Sequence, residues 1–400
     1  MASVLEKIKQ FNAGRLPDML QRKYALMQQN PFSFFRATSH LFYEDLIQDF
    51  HAVDSTKVWS CADLHIQNFG AYKADNRQVY FDLNDFDDAA LLPATFDLVR
   101  MSVSIRLVSE IQKWDNQTAD KLVHTFLDAY QQTLEKGKSK DIDHRIAQGE
   151  LRNLIRKLEK RDNFKFVQSY LHKDGKHLRA DNKKILPVEE NQYDAVKEYV
   201  SSYFSKHQST IFKRVRDIKF RVAGTSSLGL ERYLILIETA KNVEEDFLLL
   251  DLKAARPSAL LPFLTIPQPM WQNEGDRIVS IQDRVNDVLP AFFNAITFKK
   301  KAFVMREIQD EGDKVDVLSM LKAEKFKTIL NEMGVITASG HLRSSGRNGS
   351  SITDELIDFA LQKDWKEQVT VYSKKYMLKI QADFNAFAKA FKKEHTPQYR

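Results

Sequence analysis

Residues 58–87, VWSCADLHIQNFGAYKADNRQVYFDLNDFD, constrain this chain more than any other stretch, because two short apolar runs there each lead into acidic and amide side chains. Val58-Trp59-Ser60-Cys61 and Gln78-Val79-Tyr80-Phe81 have strand length, and the turn residues Gly70 and Asp75-Asn76 lie between them. The pattern predicts a hairpin that delivers both sets of acids to one end. The first run leads to Asp63, His65 and Asn68, the second to Asp82, Asn84, Asp85, Asp87 and Asp88. Carboxylates with a side-chain amide and no thiolate cluster suit Mg²⁺ or Mn²⁺ rather than zinc.

A chain of 400 residues with 43% apolar and 28% charged content can bury a large core, and its length suggests two lobes. The longest apolar runs, Tyr233–Ile237 and Phe247–Leu250, are strand length, so no membrane span is expected. The N-terminus lacks an apolar secretory core, which points to a cytoplasmic location. Cys61 stands alone, which rules out an intrachain disulfide and leaves a buried small residue or a thiol nucleophile. Residues 136–220 hold 21 Lys and Arg against 12 Asp and Glu, more than the whole net charge of +6. That segment reads as a solvated helical face or as a guide for an anionic substrate; without a zinc spacing or nucleic-acid signature, nucleic acid is not an expected partner.

Helical spacing covers 3–50, with breaks at Pro17 and Pro31, then Leu91–Ser109, Thr118–Leu134, Gln148–Leu171 and Tyr193–His207, with a polar loop or hairpin at 173–184. Strand-like runs follow at Asp217–Ala223, Leu230–Glu238 and Glu245–Ala254, a meander whose first turn is Gly224-Thr-Ser-Ser-Leu-Gly229. Helices at Arg277–Leu289 and Ala323–Arg343, a strand at Ala302–Ile308, a loop at Ser344–Ser351 and two helices within 352–394 complete the reading.

The Gly-rich turn lacks the Lys and Ser/Thr of a P-loop, but Gly224, Ser226, Ser227 and Gly229 could cover phosphates with backbone N–H groups. Lys253 ends the third run of the same meander, and a Lys closing an apolar strand is costly to bury without an anion. Phosphoryl transfer needs a carboxylate on the attacking hydroxyl, metal ligands and a cation on the phosphates. Asp63, Asn68 with Asp85, and Lys253 supply these in turn, with His65 a second candidate at the reacting end. Arg36, after the aromatic run Pro31-Phe-Ser-Phe-Phe, either pairs with a nearby acid or reaches a phosphate.

The loop Cys61-Ala-Asp-Leu-His-Ile-Gln-Asn68 followed by Asp85-Phe86 resembles the aminoglycoside and choline kinase branch of the protein-kinase-like superfamily, with Cys61-Ala62 in place of that branch's His-Gly. There the Asp of the following helix, here Asp97, braces the catalytic loop. The Gly-rich turn and Lys come after the catalytic loop, which resembles a circular permutation. The same order is similar to that of an uncharacterised bacterial family, domain of unknown function 2252. Its motifs stand here at 31–36, 62–70, 81–87, 224–229 and 253–258, with Gly340-His341-Leu342-Arg343 a partial match to a late element.

The resemblance implies an α+β, two-lobed, kinase-like fold in permuted order. A helix-rich large lobe would span 1–215, a small antiparallel-sheet lobe 216–310, and helices at 311–400 would return to the large lobe. ATP and Mg²⁺ or Mn²⁺ would be cofactors, with adenine near Arg306–Gln309 and a small-molecule hydroxyl as acceptor. Asp283, Gln282 or Glu274 would take the place of the helix Glu that pairs with the strand Lys. Asp82, Asp87, His341 and Arg343 would support the site. A nucleotide-binding regulatory protein without transfer activity and an AMP transferase are the alternative readings.

Overall fold

The computed structural model describes residues 2–51, 54–142, 145–208, 210–240, 246–316 and 322–395. The fold is α+β. The two prolines that interrupt the N-terminal pattern open helices rather than merely end them, as suits a ring with no N–H to satisfy. Val4–Phe11 is followed by Pro17–Met27, Pro31–Ala37 and Ser39–Asp49. Asn30 caps Pro31–Ala37 through Ser33 N–H, and Ser3 closes a capping box with Glu6 on the first helix.

The acidic stretch departs from the expected hairpin. Strand β1 (Val58–Ser60) pairs with β4 (Ala90–Leu92), whereas β2 (Phe69–Lys73) pairs with β3 (Val79–Leu83). The 3₁₀ turn Ile66–Asn68 turns the chain between β1 and β2, so Gly70, expected in a turn, lies within a strand that takes the partner expected for β1. Both two-stranded sheets are antiparallel and deeply buried.

A six-stranded antiparallel sheet holds β5 (Ile185–Leu186), β6 (Phe212–Arg221), β7 (Arg232–Thr239), β8 (Phe247–Ala254), β10 (Lys301–Glu307) and β9 (Asn294–Phe298), in that spatial order. The meander expected from sequence is its centre; Glu245, the expected start of the third run, lies outside the described residues, as do 241–244 of the turn before it. The sheet also draws on residues before 216, because β5 and the helix Glu190–His207 both join it. Alternation sets its two faces. Leu248, Leu250 and Leu252 pack with Val196, Val200 and Phe204 of that helix. Leu249, Leu234 and Leu236 pack on the other face with Val167 of the helix Asn163–Tyr170. Toward one end of this second face the leucines give way to Asp251 and Lys253, opposite Arg306 and Arg232 in register.

The large core gathers the N-terminal helices, Ala94–Ile111, Asn116–Glu135, Ala323–Arg343 and the last helix Trp365–His395. Ala323–Arg343 matches its expected span end to end. Gly334 lets it approach Asn116–Glu135 closely, since a Cβ there would lie 2.5 Å from the Phe126 carbonyl oxygen. The span expected as one helix at 148–171 is two, Gly149–Glu159 and Asn163–Tyr170, because Asp162 starts the second by capping Lys165 N–H. Among the described residues no helix is long and apolar enough to cross a membrane.

Candidate functional site

The loop after β1 is fixed from below before any functional group is placed. Ala62 has φ of +62°, a left-handed backbone that disfavours a Cβ, immediately before Asp63. Three bonds hold it there. The Tyr43 hydroxyl donates to the Ala62 carbonyl, Ala62 N–H donates to Ser60 Oγ at 2.7 Å, and Ser60 Oγ donates to Asp97. Asp97 also faces His341 Nε2 at 3.4 Å, and His341 Nδ1 lies 2.7 Å from the Tyr130 hydroxyl. Asp97 and His341 thus support the loop through Ser60 and do not reach the open site. Cys61 is fully buried, and burial pushes its thiol up, which removes the nucleophile reading.

Asp63 accepts from the guanidinium of Arg100, through Nε at 2.7 Å and also through Nη2. Arg100 is completely buried, with Phe35 stacked 4.1 Å from its carbon centre. Burial raises the Asp63 carboxyl to about 6, against the opposing pull of Arg100. His65 Nε2 stands 3.9 Å from Asp63 and accepts from Arg36 Nε at 3.4 Å. Burial, then Arg36, lowers the His65 imidazole well below its usual range, so it is neutral at pH 7.

Asn68 ties this loop to the second acidic run. Its Nδ2 donates to the carbonyls of Asp63, at 3.1 Å, and Asp85, at 3.0 Å, while its Oδ1 accepts Asp85 N–H at 2.7 Å. The acids therefore meet through one amide and not through a shared hairpin. The Asp85 side chain is 45% exposed, and its Oδ1 lies 3.5 Å from Lys253 Nζ. Burial works to raise its carboxyl, but Lys253, Lys314 and Arg306 together draw it down to about 2. Asp87 takes the closer contact to Lys253, at 2.5 Å; burial and the neighbouring Asp85 charge push its carboxyl up.

The remaining acids of the run face elsewhere. Asp88 accepts from Ser39 Oγ at 2.9 Å and Ala259 N–H at 2.8 Å, which anchors the segment after Lys253. Asp82 accepts Leu83 N–H at 2.8 Å and faces Arg343 Nη2 at 3.3 Å, and burial raises its carboxyl to about 6. Asp82, in β3, and Arg343 are a part-buried structural pair. Asp283 is exposed and is not brought to Lys253; Gln282, one residue earlier, lines a small cavity with Lys253, Asp85 and Arg306. Glu274 is engaged by Arg277 Nε at 2.6 Å.

The Gly-rich turn is held from the N-terminal side. Gly224 and Gly229 have φ of +76° and +91°. Arg15 Nη1 donates to the carbonyls of Ser226, at 2.6 Å, and Leu228, at 2.8 Å, and the buried Lys23 donates to Ser226 O at 2.9 Å. Ser227 Oγ donates to Ala223 O at 3.2 Å. Arg306 Nη1 donates to Asn84 O at 3.0 Å, which joins the six-stranded sheet to the acidic run.

The seat expected for adenine is already occupied by the chain itself. Glu307 N–H, Ile308 N–H and Asp310 N–H donate to Ala291 O, Leu249 O and Asp313 Oδ2, and Gln309 O accepts from Arg221 Nη2 at 3.0 Å. Beside it, Asp251 pairs with Arg232 at 2.5 Å and Arg221 at 3.0 Å. These charges could not be placed from sequence, because each Arg sits in a strand whose register was unknown.

Two groups in the site went unassigned in the sequence reading. Arg100 interrupts an apolar helix, and that burial cost is its only sequence signal. Lys314 lies in an irregular segment and carries none; burial, then Arg36, lowers its ammonium to about 8, and it acts with Lys253 on Asp85.

Among the described residues no three His, Cys, Asp or Glu side chains converge as a metal set. Mg²⁺ commonly takes one or two protein carboxylates, with phosphate and water completing its shell. Asp85, ionised and half-exposed, fits that role. Asn68 Oδ1 is engaged by Asp85 N–H and would have only its second lone pair to offer.

A family model described as uncharacterized protein conserved in bacteria, DUF2252, matches residues 15–390. The chain belongs to that family. No curated protein and no solved structure matches it.

Proposed function

We propose that this member of the family is an ATP- and divalent-metal-dependent phosphotransferase with a permuted kinase-like fold, acting on the hydroxyl of a small molecule. The observation that carries the reading is the Asp85 carboxylate: ionised, half-exposed, beside Lys253, and tied by Asn68 to the loop that bears Asp63. The strand order around β8, with the helix Glu274–Val285 inserted after it, supports the kinase-like reading.

Asp85 would hold Mg²⁺ or Mn²⁺, with Asn68 beside it. When bound, such an ion neutralises charge on the phosphate oxygens. Lys253 exchanges its contacts to Asp85 and Asp87 for phosphate oxygens, as a cation does where an anion is the better partner. Asp63 accepts the proton of the acceptor hydroxyl as that oxygen bonds to the γ-phosphorus and the bond to the ADP oxygen breaks. Arg100 orients Asp63 and keeps its buried charge paired. The closed backbone near 307–310 means that the base sits outside a hinge-type seat or displaces Arg221.

Asp85→Ala should abolish metal-nucleotide turnover, and Asp63→Asn should spare nucleotide binding but stop transfer. Turnover undiminished in Asp85→Ala would end the assignment. One observation favours a second reading, a nucleotide-binding regulator without transfer: Lys253 is satisfied by Asp85 and Asp87 and meets no helix Glu. Under that reading Mg-ATP raises thermal stability, by ~2.7 kcal/mol at a hundredfold excess over Kd, with no product formed.

A further inference from the structure

A cavity of about 700 Å³, not lined by Asp63 or Asp85, lies between the helix Val4–Phe11 and the segment Arg256–Phe263. None of the groups assigned to phosphoryl transfer lines it. Three side chains of its polar wall keep part of their hydrogen-bonding capacity unspent. His40 is 6% exposed and stacks on Phe11 with ring centroids 3.9 Å apart, and neither of its ring nitrogens has a hydrogen-bond partner among the described residues. Arg15, 7% exposed, uses Nη1 on the Gly-rich turn but leaves its Nε without a partner. The Arg256 guanidinium stands 4.2 Å from the Phe11 centroid, and its side chain donates no hydrogen bond among the described residues.

Buried polar groups without partners are costly, and His40 and Arg15 place two such side chains around one aromatic ring, with the half-buried Arg256 beside them. The charges add to this. Burial, and next the neighbouring Arg256, lower the Arg15 guanidinium to about 9. Asp88 and Asp87 pull the other way and offset this only in part. Asp88 is engaged by Ser39 and Ala259 N–H, and Glu44 takes Lys7 at 2.7 Å. An anion between the two guanidiniums would accept the unspent donors and cancel their repulsion. Lys7, Gln10, Glu44 and Ser258 complete the polar lining, and Phe11, Leu230, Pro262 and Phe263 give the cavity an apolar wall. An apolar lining with a few convergent polar groups is the usual make-up of a small-molecule site.

We propose that this cavity binds a small organic anion, its carboxylate or phosphate held by Arg15, Arg256 and His40 and its aromatic or aliphatic body packed on Phe11, Leu230 and Phe263. The site is separate from the phosphotransfer centre and stands whether or not that activity does.

Calorimetric titration of the full chain with 2-naphthoate, 2-naphthyl phosphate and the neutral 2-naphthamide tests it. At least one anion should bind with a sub-millimolar Kd, and the amide should bind at least about tenfold more weakly. The stronger of the two anions identifies the headgroup. Arg256→Gln should weaken that anion about tenfold or more, while Asp85→Asn should leave it within about twofold. In the wild type, raising salt from about 50 to about 500 mM should weaken the anion and not the amide, a result that needs no variant to fold. The proposal is overturned if no probe binds up to about 5 mM, if the amide binds as tightly as both anions, if salt has no effect, or if a folded Arg256→Gln binds like wild type. A change in the anion's affinity beyond about twofold in Asp85→Asn, in either direction, would equally overturn it, by placing the probe in the other site.

Discussion

Asp63 is where residue-level electrostatics decide most. Its carboxyl, lifted to about 6 by burial against the pull of Arg100, must be ionised to accept a proton, so kcat/KM should rise with pH through about 6. The acid limb should vanish in Asp63→Asn along with transfer itself, which a pH profile at saturating metal would record. Arg100→Gln removes the only cation hydrogen-bonded to that carboxylate among the described residues, so any residual activity should show its acid limb displaced to higher pH. An unshifted limb would mean that Arg100 does not control Asp63.

Asp82 gives a test at the same scale that does not depend on function. Its folded pKa of about 6 lies above the ordinary carboxyl value of 3.8, so the folded state holds more protons across that interval. Stability that Asp82 contributes in its protonated form is present below about pH 4 and is lost as pH rises through 6, at a cost of ~3 kcal/mol. The unfolding free energy of Asp82→Asn relative to wild type should therefore improve between pH 4 and 7, as denaturant titrations at the two pH values would show. A constant difference would contradict the assignment of a buried, strained charge.

Among the elements, the helix Ala323–Arg343 depends on Gly334 for its approach to Asn116–Glu135. A methyl there would meet the Phe126 carbonyl at 2.5 Å and the Ala129 Cβ at 2.9 Å. Gly334→Ala should cost ~1–3 kcal/mol by overpacking, despite the better helix propensity of Ala, and a lowered urea midpoint would report it. Elements of this kind were legible in the sequence because their apolar spacing and their burial agree; Ala323–Arg343 was read to the residue. Strand pairing was not. β1 and β3 each read as apolar runs of strand length, but nothing local says that β1 pairs with Ala90–Leu92 some thirty residues on. The Lys253 strand was readable as a place where charge needs an anion, but Asp87 as its closest partner was not. Nor could spacing reveal that Asn163–Tyr170 packs Val167 onto the leucines of the six-stranded sheet.

At the scale of the molecule, residues from distant parts of the chain converge on one centre: Arg36 and Asp63 early, Lys253 and Arg306 late, and Lys314 beyond them. The acidic stretch at 58–87 contributes its core, but two separate sheets and one bridging amide do the convergence that a single hairpin was expected to do. Asp97, His341 and Arg343 stand outside that centre and act through the loops they hold. The central claim is that this centre moves a γ-phosphate, and the slow transfer of phosphate to water that such enzymes show without an acceptor reports on it directly. With Mg²⁺ and ATP labelled in turn at the γ- and α-phosphate, wild type should release γ-labelled phosphate and leave the α-label in ADP, with none in AMP. Asp85→Ala should release neither. An α-label recovered as AMP or attached to an acceptor, or equal γ-phosphate release by wild type and Asp85→Ala, would contradict the account.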